Sequence, residues 1–406
     1  MNMYKKVIVS DEGTGWLRRG QLWLYRNNVV SYDDDLMTGD IAAIYDERGA
    51  FYGSGFFHAE SHITVRILTR RENETVDAQL FRKRIDAAYR HRLAFMRENI
   101  TDCRLVYGES DLMPGLIADR YADVIVTQIT SCGIEKRKDE IYEAIMDVLR
   151  LHGETVTGIY ERNDLQARKK EGLELYKGWW KETGHEPYAV IDENGIRIRV
   201  DFVNGQKSGY FLDQKSNRLL VRNLAGGMRV LDCFTHTGGF ALNAAKGGAK
   251  SVTAVDVSAS ALEEAAINAQ LSGLEKSVSF VQDDVFDYLD RCEYDAFDII
   301  ILDPPAFTKS RKTVMKAYNG YKRINKKAME LLADGSYLVT CSCSRYMEMN
   351  LFERMLKEAA LEAGVMLKLV SQTVQNGDHP MLWNMDETCY LKFYIFEIVR
   401  GYAYDR

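Results

Sequence analysis

Five prolines in 406 residues are too few for a proline-rich linker, so the domains of this chain are expected to be closely docked. Seven cysteines, at positions 103, 132, 233, 292, 341, 343 and 389, include no C-x-x-C pair. That odd count indicates neither a disulfide framework nor a zinc ribbon; no metal is expected, and most of the thiols read as small buried hydrophobes. Apolar runs stop at strand length, short of the roughly 20 residues a spanning helix needs. Met1-Asn2-Met3-Tyr4-Lys5-Lys6 leads into a strand-like Val7-Ile8-Val9 instead of a signal sequence, so a cytoplasmic protein without a membrane partner is expected. A net charge of −6, from 53 basic and 59 acidic residues, excludes a protein that coats nucleic acid by bulk charge. No internal repeat, low-complexity tract or lysine-containing phosphate loop occurs, and a homodimer is left open.

With 46% hydrophobic and 28% charged residues, the composition is that of a globular protein. The length suggests two or three domains of about 100 to 200 residues. Residues 1–72 read as short strands with glycine turns, the pattern of a small β-barrel. Within them Trp16, Arg18, Arg19, Trp23, Tyr25 and Arg26 interleave aromatics with cations, which suits base stacking and phosphate contact as well as ordinary barrel packing. From Val76 the spacing of Phe81, Ile85, Ala88, Tyr89, Leu93 and Met96 predicts a helix with one apolar face. Arg82-Lys83-Arg84 and Arg90-His91-Arg92 lie mainly off that face, where solvated charge is expected. A mixed α/β segment then fills residues 73–200.

Residues 201–406 alternate strand and helix. Strands are expected at 229–232, 251–256, 278–281, 297–302 and 337–341, with helices between them, and a last pair at 367–373 and 390–399 has no helix between its members. Alternation predicts a doubly wound, Rossmann-like parallel sheet, and the terminal pair an antiparallel edge. Ligands of such sheets sit at the carboxyl ends of the strands. There the first strand ends in Asp232-Cys233-Phe234-Thr235-His236-Thr237-Gly238-Gly239, a glycine turn that lacks the dinucleotide spacing. Asp256, ending the second strand, can accept two ribose hydroxyls, and Asp283-Asp284, after the third, can accept an adenine amino group. With no phosphate loop, that succession describes S-adenosylmethionine better than a nucleoside triphosphate. The competing reading is that Asp256 and Asp284 only cap the helices that follow them.

These residues carry a resemblance. Val230-Leu231-Asp232-Cys233-Phe234 with Thr237-Gly238-Gly239-Phe240, Val255-Asp256, Asp283-Asp284-Val285-Phe286, Asp303-Pro304-Pro305-Ala306-Phe307 and Ser342-Cys343-Ser344 are similar to class I methyltransferases of the large-subunit ribosomal RNA methyltransferase I type. Gly205 to Arg218, Tyr107 to Arg120, Arg168 to Gly172 and Asp378-His379-Pro380 also resemble that family. The resemblance implies a PUA-type RNA-binding barrel at residues 1–72 and 5-methylcytosine formation in large-subunit (23S) ribosomal RNA. It implies S-adenosylmethionine held by Tyr210, Asp213, Arg218, Asp232, Phe234, Gly238, Gly239, Asp256, Asp284 and Asp303.

Carbon 5 of cytosine is a poor nucleophile, and its methylation needs transient addition at carbon 6. A thiolate suits that step because it attacks strongly and departs readily. Cys343, just past a strand end in the segment resembling the family's nucleophile, has a better claim than Cys341, which lies within the strand. Asp303 is expected to assist at ring nitrogen 3, its carboxylate aimed by the extended backbone that precedes proline. Pro304, Pro305, Phe307 and Lys309 are the expected substrate contacts, with Phe307 equally suited to core packing. Arg162, Arg168, Lys169, Lys170, Arg311, Lys312, Lys316, Lys322 and Arg323 are further candidates for phosphate contact. More distant cytosine-5 enzymes carry a second cysteine near Ala306-Phe307, which this chain lacks, so no base for the carbon 5 proton is identified. Two other readings stay open: an amino-group methyltransferase acting on guanine or adenine, and a non-enzymatic RNA-binding assembly factor.

Overall fold

Short β-branched and aromatic runs at the start of the chain form a six-stranded mixed sheet in the computed structural model, which describes residues 4–96, 100–308 and 310–401. The strands lie in the order Trp23–Tyr25, Ile63–Thr69, Phe51–Phe57, Ile41–Asp46, Lys5–Val9, Val29–Tyr32. Register shifts in four of the strand pairs supply the bends that curl such a sheet. At Gly55 a Cβ would lie 2.1 Å from the Arg66 carbonyl, so only glycine permits that approach. One element differs from the all-strand expectation: residues Asp11–Arg18 are helical. Ser10 caps it by accepting from Gly13 N at 3.2 Å, and Asp11 and Glu12 occupy the first turn, a helix-start signature the strand reading passed over.

A five-stranded sheet follows, ordered Tyr176–Trp179, Gly158–Asn163, Val124–Ile129, Leu116–Tyr121, Asp102–Tyr107. The helices Ala78–Met96 and Lys138–Leu151 join its strands in one core through Phe81, Ile85, Tyr89, Ile125, Ile145 and Ile159. Contacts gather both sheets, with Val200–Leu212 and Gly377–Thr388, into one compact unit, while Asp192–Arg199, Asp213–Asn376 and the chain from Cys389 form a second. Residues on both sides of 72 share the first unit, and near 200 short segments of each unit interleave along the chain. Arg104 N donates to Asp378 Oδ2 at 2.9 Å inside the first unit, and Arg199 N donates to Asn268 Oδ1 at 2.8 Å inside the second.

Several cations expected in solvent are buried in the first unit. Arg92 is 0% exposed and forks onto both Asp111 carboxylate oxygens at 2.6 and 2.7 Å, with further bonds to the Arg104 and Asp378 carbonyls. Arg84 donates to the Leu68 and Leu112 carbonyls. Arg168 bonds Glu135 and the Ile129 and Glu174 carbonyls, and Arg162 the Phe202 and Gly205 carbonyls. As phosphate contacts, Arg162 and Arg168 are thereby corrected: both guanidiniums are spent inside the fold.

The second unit is a seven-stranded sheet. Its strands are labelled β1 (Arg229–Cys233), β2 (Ser251–Asp256), β3 (Val278–Gln282), β4 (Ile299–Leu302), β5 (Tyr337–Ser342), β6 (Met366–Thr373) and β7 (Lys392–Val399). They lie in the order β3-β2-β1-β4-β5-β7-β6, parallel except for β7, which is antiparallel to both β5 and β6. The order reverses at β1/β4, the switch point where a crevice opens at the strand ends. Helices Val314–Leu331 and Met349–Ala363 cover one face through Tyr321, Ile324, Ala328, Phe352, Met355 and Leu356. The first of them begins four residues before the expected Tyr318, and β5 runs one residue past Cys341. Among the described residues, no helix is long and apolar enough to cross a membrane.

Arg92→Ala strands Asp111 in a desolvated site. It is expected to lower the unfolding free energy by about 3–5 kcal/mol, measured by chemical denaturation; a loss below about 1 kcal/mol would refute the structural role given to this pair.

Candidate active site

The turn after β1 is held in a conformation that side chains other than glycine seldom adopt. Phe234, His236 and Gly238 have φ of 61°, 51° and 85°, the first two at a cost of about 1–2 kcal/mol each. Hydrogen bonds fix the turn: Thr235 Oγ1 donates to Asp232 Oδ2 at 2.6 Å, Ala241 N to the same oxygen at 2.9 Å, and His236 N to Asp256 Oδ2 at 2.9 Å. A Cβ on Gly238 would meet that of Ala265 at 3.2 Å, and buried Gly239 begins the next helix.

Asp232, Asp256 and Asp303 stand at or just beyond the carboxyl ends of β1, β2 and β4. Asp232 is buried, and its second oxygen, Oδ1, has no hydrogen-bond partner among the described residues. Burial pushes its carboxyl up to about 7, with the neighbouring Asp303 and Asp256 charges adding to the rise. A buried acidic edge with an unsatisfied carboxylate oxygen is suited to a cationic ligand and repels phosphate. Asp256 Oδ1 accepts from Ser258 N at 2.9 Å, and Asp284 caps the helix Val285–Arg291 by accepting from Phe286 N at 2.8 Å. The capping reading thus describes what Asp284 does within the fold, while its exposed carboxylate still faces solvent at a strand end.

Asp303 is half-buried and accepts from Gln214 Nε2 at 3.2 Å. Beside it, the sulfur of half-buried Cys343 lies 4.0 Å from the Pro304 carbonyl oxygen. Cys341 is 0% exposed, and burial, reinforced by the Asp303 charge, pushes its thiol well above the ordinary range. Ser342 Oγ donates to the Tyr321 hydroxyl at 3.1 Å, and Ser344 Oγ to the Thr308 carbonyl at 3.0 Å, so both serines lace the thiol loop to its surroundings. Lys392, opposite Ser342 in the β5/β7 register, donates from Nζ to the carbonyls of Ser344 and Tyr390 at 2.7 Å each.

Other expected site residues are placed elsewhere. Arg218 forks onto Glu193 at 2.7 and 2.9 Å, and Asp213 Oδ2 accepts from the Tyr390 hydroxyl. Tyr210 belongs to the first unit, where its backbone bonds the Tyr121 hydroxyl. Phe307 packs on Tyr321 at a centroid distance of 4.6 Å, in the core role weighed above. Pro304 is buried and Pro305 exposed, while Lys309 lies outside the described residues. Arg311, Lys312 and Lys316 are exposed, whereas Lys322 pairs with Glu362 and Arg323 with Asp290. In the first unit Tyr25, Arg26, Asn27 and His62 line a surface cavity, while Trp23 is engaged with Glu109 and Arg19 lies over Trp16. Gln214, Tyr321 and Lys392 were not among the expected site residues. For Lys392 a signal existed: one cation inside the apolar run Leu391 to Ile398.

A sheet of this order, with an acidic carboxyl edge and a tight glycine turn after its first strand, defines an S-adenosylmethionine-dependent methyltransferase, here preceded by a PUA-like domain. The profile for S-adenosylmethionine-dependent methyltransferases matches residues 164–397, and that for PUA-like domains residues 7–70. The chain is 41% identical over 381 residues to "Ribosomal RNA large subunit methyltransferase I" of Aeromonas hydrophila, covering 93% of this chain and 95% of that one. It is 36% identical over 397 residues to the Klebsiella pneumoniae protein of the same name, at 96% and 98% coverage. The chain belongs to the ribosomal RNA large subunit methyltransferase I family. Its fold is shared with a solved S-adenosylmethionine-dependent methyltransferase from Streptococcus mutans, with TM-score 0.81, 21% identity and coverage of 97% and 99%. A further solved methyltransferase, in complex with SAH, has TM-score 0.82 at 21% identity and the same coverage.

The cofactor is S-adenosylmethionine, and the residues fit it. The unpartnered Asp232 oxygen suits an ammonium, and the acidic edge suits a sulfonium. Because Asp232 must be ionised to hold a cation, affinity for S-adenosylhomocysteine, which keeps the ammonium, should rise from about pH 6 to about pH 8. Without ligand the sign for stability is opposite: a carboxyl raised from 3.8 to about 7 costs stability as pH climbs through that window. Calorimetry at several pH values checks the first effect. Asp232→Asn should weaken binding about 10- to 100-fold and flatten the profile, and an unchanged affinity would refute the assignment.

Proposed function

We propose that this chain is a cytoplasmic enzyme that forms 5-methylcytosine in large-subunit (23S) ribosomal RNA through a transient bond between Cys343 Sγ and carbon 6 of the base. The observation that carries this reading is the half-buried Cys343 sulfur beside the loop that Asp303 opens, with the alternative thiol, Cys341, sealed in the strand. Cytosine is favoured over an exocyclic amino target because amino transfer has no need of a thiol at that position. Ribosomal RNA is favoured by the names of the relatives and by the PUA-like domain.

The Cys343 thiolate adds to carbon 6, and the displaced ring electrons move toward nitrogen 3, where Asp303 shares a proton and takes up the charge. Carbon 5 thereby gains enamine character. When bound, the cofactor supplies the electrophilic methyl group. Loss of the carbon 5 proton then reforms the ring double bond and returns the electron pair of the carbon–sulfur bond to Cys343. The base must be unpaired or turned out of a helix to reach the site, which gives a separate RNA-holding domain its use. Pro304, Pro305, Phe307 and Lys309 are the proposed substrate-side residues, with exposed Arg311, Lys312 and Lys316 available to phosphates.

RNA carrying 5-fluorocytosine, from which no carbon 5 proton can leave, should trap a covalent protein–RNA adduct that mass spectrometry maps to Cys343. Cys343→Ser should lower turnover by on the order of a thousandfold or more while leaving cofactor binding intact. Retained turnover would favour an amino-group methyltransferase, and an adduct at Cys341 would move the nucleophile.

A further inference from the structure

Lys392 is the unusual cation of the second unit. It sits within Leu391-Lys392-Phe393-Tyr394-Ile395, is 4% exposed and, among the described residues, has no carboxylate in ion-pair range. Two backbone carbonyls accept from its Nζ, at Ser344 and Tyr390, and the third N–H has no partner among the described residues. An uncompensated buried ammonium is costly, and an apolar residue would suit the strand better. The titratable groups that act on its charge are the thiols of Cys343 and then Cys389, while Tyr390, whose carbonyl it holds, commits its hydroxyl to Asp213.

The geometry points to Lys392 as a positioning residue that holds Cys343 as its thiolate, an inference that rests on the reading of Cys343 as the nucleophile. A thiol at this acidic strand edge needs a nearby cation to ionise, because the Asp303 charge adds to burial in pushing the Cys341 thiol up. Lys392 supplies that cation with its Nζ anchored on the carbonyl of the residue that follows Cys343. The coupling is mutual: burial lowers the lysine, and with Cys343 and then Cys389 partly offsetting that effect it stands at about 8. When sulfur bonds to carbon 6, its negative charge passes into the ring and the ammonium loses its counter-ion. When sulfur leaves, the pair reforms, so the same cation favours both the ionised thiol before attack and the departing thiolate.

The test needs no RNA. Alkylation of Cys343 by iodoacetamide is followed across pH by peptide mass spectrometry on the full chain, with half-buried Cys292 as internal reference. Lys392→Met should raise the midpoint for Cys343 by about one pH unit or more, slow its alkylation near neutrality about tenfold and leave Cys292 unchanged. Lys392→Arg, which keeps the charge, should restore a low midpoint. Identical Cys343 midpoints in the wild type and a folded Lys392→Met would overturn the inference. So would a wild-type midpoint at or above the ordinary thiol value of about 8.5, a measurement that stands even if the variant does not fold. A low midpoint without any 5-fluorocytosine adduct would instead count against Cys343 as nucleophile and leave the ion pair standing.

Discussion

The parallel register of β1, β4 and β5 is the constraint on which the second unit depends. Cys233 pairs with Leu302, and Leu302 with Thr340. The residues that follow are therefore delivered level with one another: Asp303 comes out beside Cys341, and the Pro304 carbonyl within reach of the Cys343 sulfur. A slip of one residue in any of the three strands would turn these side chains to opposite faces of the sheet. The buried apolar runs Ile299–Leu302 and Leu338–Val339 forbid that slip, since it would bring Asp303 or Thr340 into positions now filled by Leu302 and Val339. Packing chosen for the core thus fixes the geometry of the chemistry.

Electrostatics at the same edge follow from that alignment. Burial of Asp232, with the Asp303 and Asp256 charges at adjacent strand ends adding to it, is costly until a cation arrives. Binding energy for a positively charged cofactor is in this way stored in the unliganded fold. The strained turn through Phe234 and His236 belongs to the same design, because its bonds to Asp232 and Asp256 aim the acids while its own conformation is unfavourable.

Much of this was legible in the sequence. The alternating apolar runs gave the doubly wound sheet and its antiparallel edge, and Asp303-Pro304-Pro305 and Ser342-Cys343-Ser344 stood out because chemistry-bearing residues end apolar strands. The basic residues were harder to read. Arg92 finds its partners at Asp111 and at the carbonyl of Asp378, and Arg168 at Glu135 and Ile129; such distant partners leave no local periodicity, so a run like Arg90-His91-Arg92 reads as a solvated face. The short helix at Asp11–Arg18 was obscured by β-prone neighbours, although its cap was written in Ser10-Asp11-Glu12. Segments 200–212 and 377–388 show a third kind of difficulty, since membership in a compact unit is decided by contacts that chain order does not reveal.

Ser344 holding the Thr308 carbonyl ties two loops from different strands together, and Ser342 holding Tyr321 ties the strand end to the helix behind them. Neither loop can be lifted alone. Whatever wedges against the segment after Asp303 also shifts the sulfur, so on the proposed reading entry of a base would be felt by acid and nucleophile together, and an ill-fitting ring would disarm both at once.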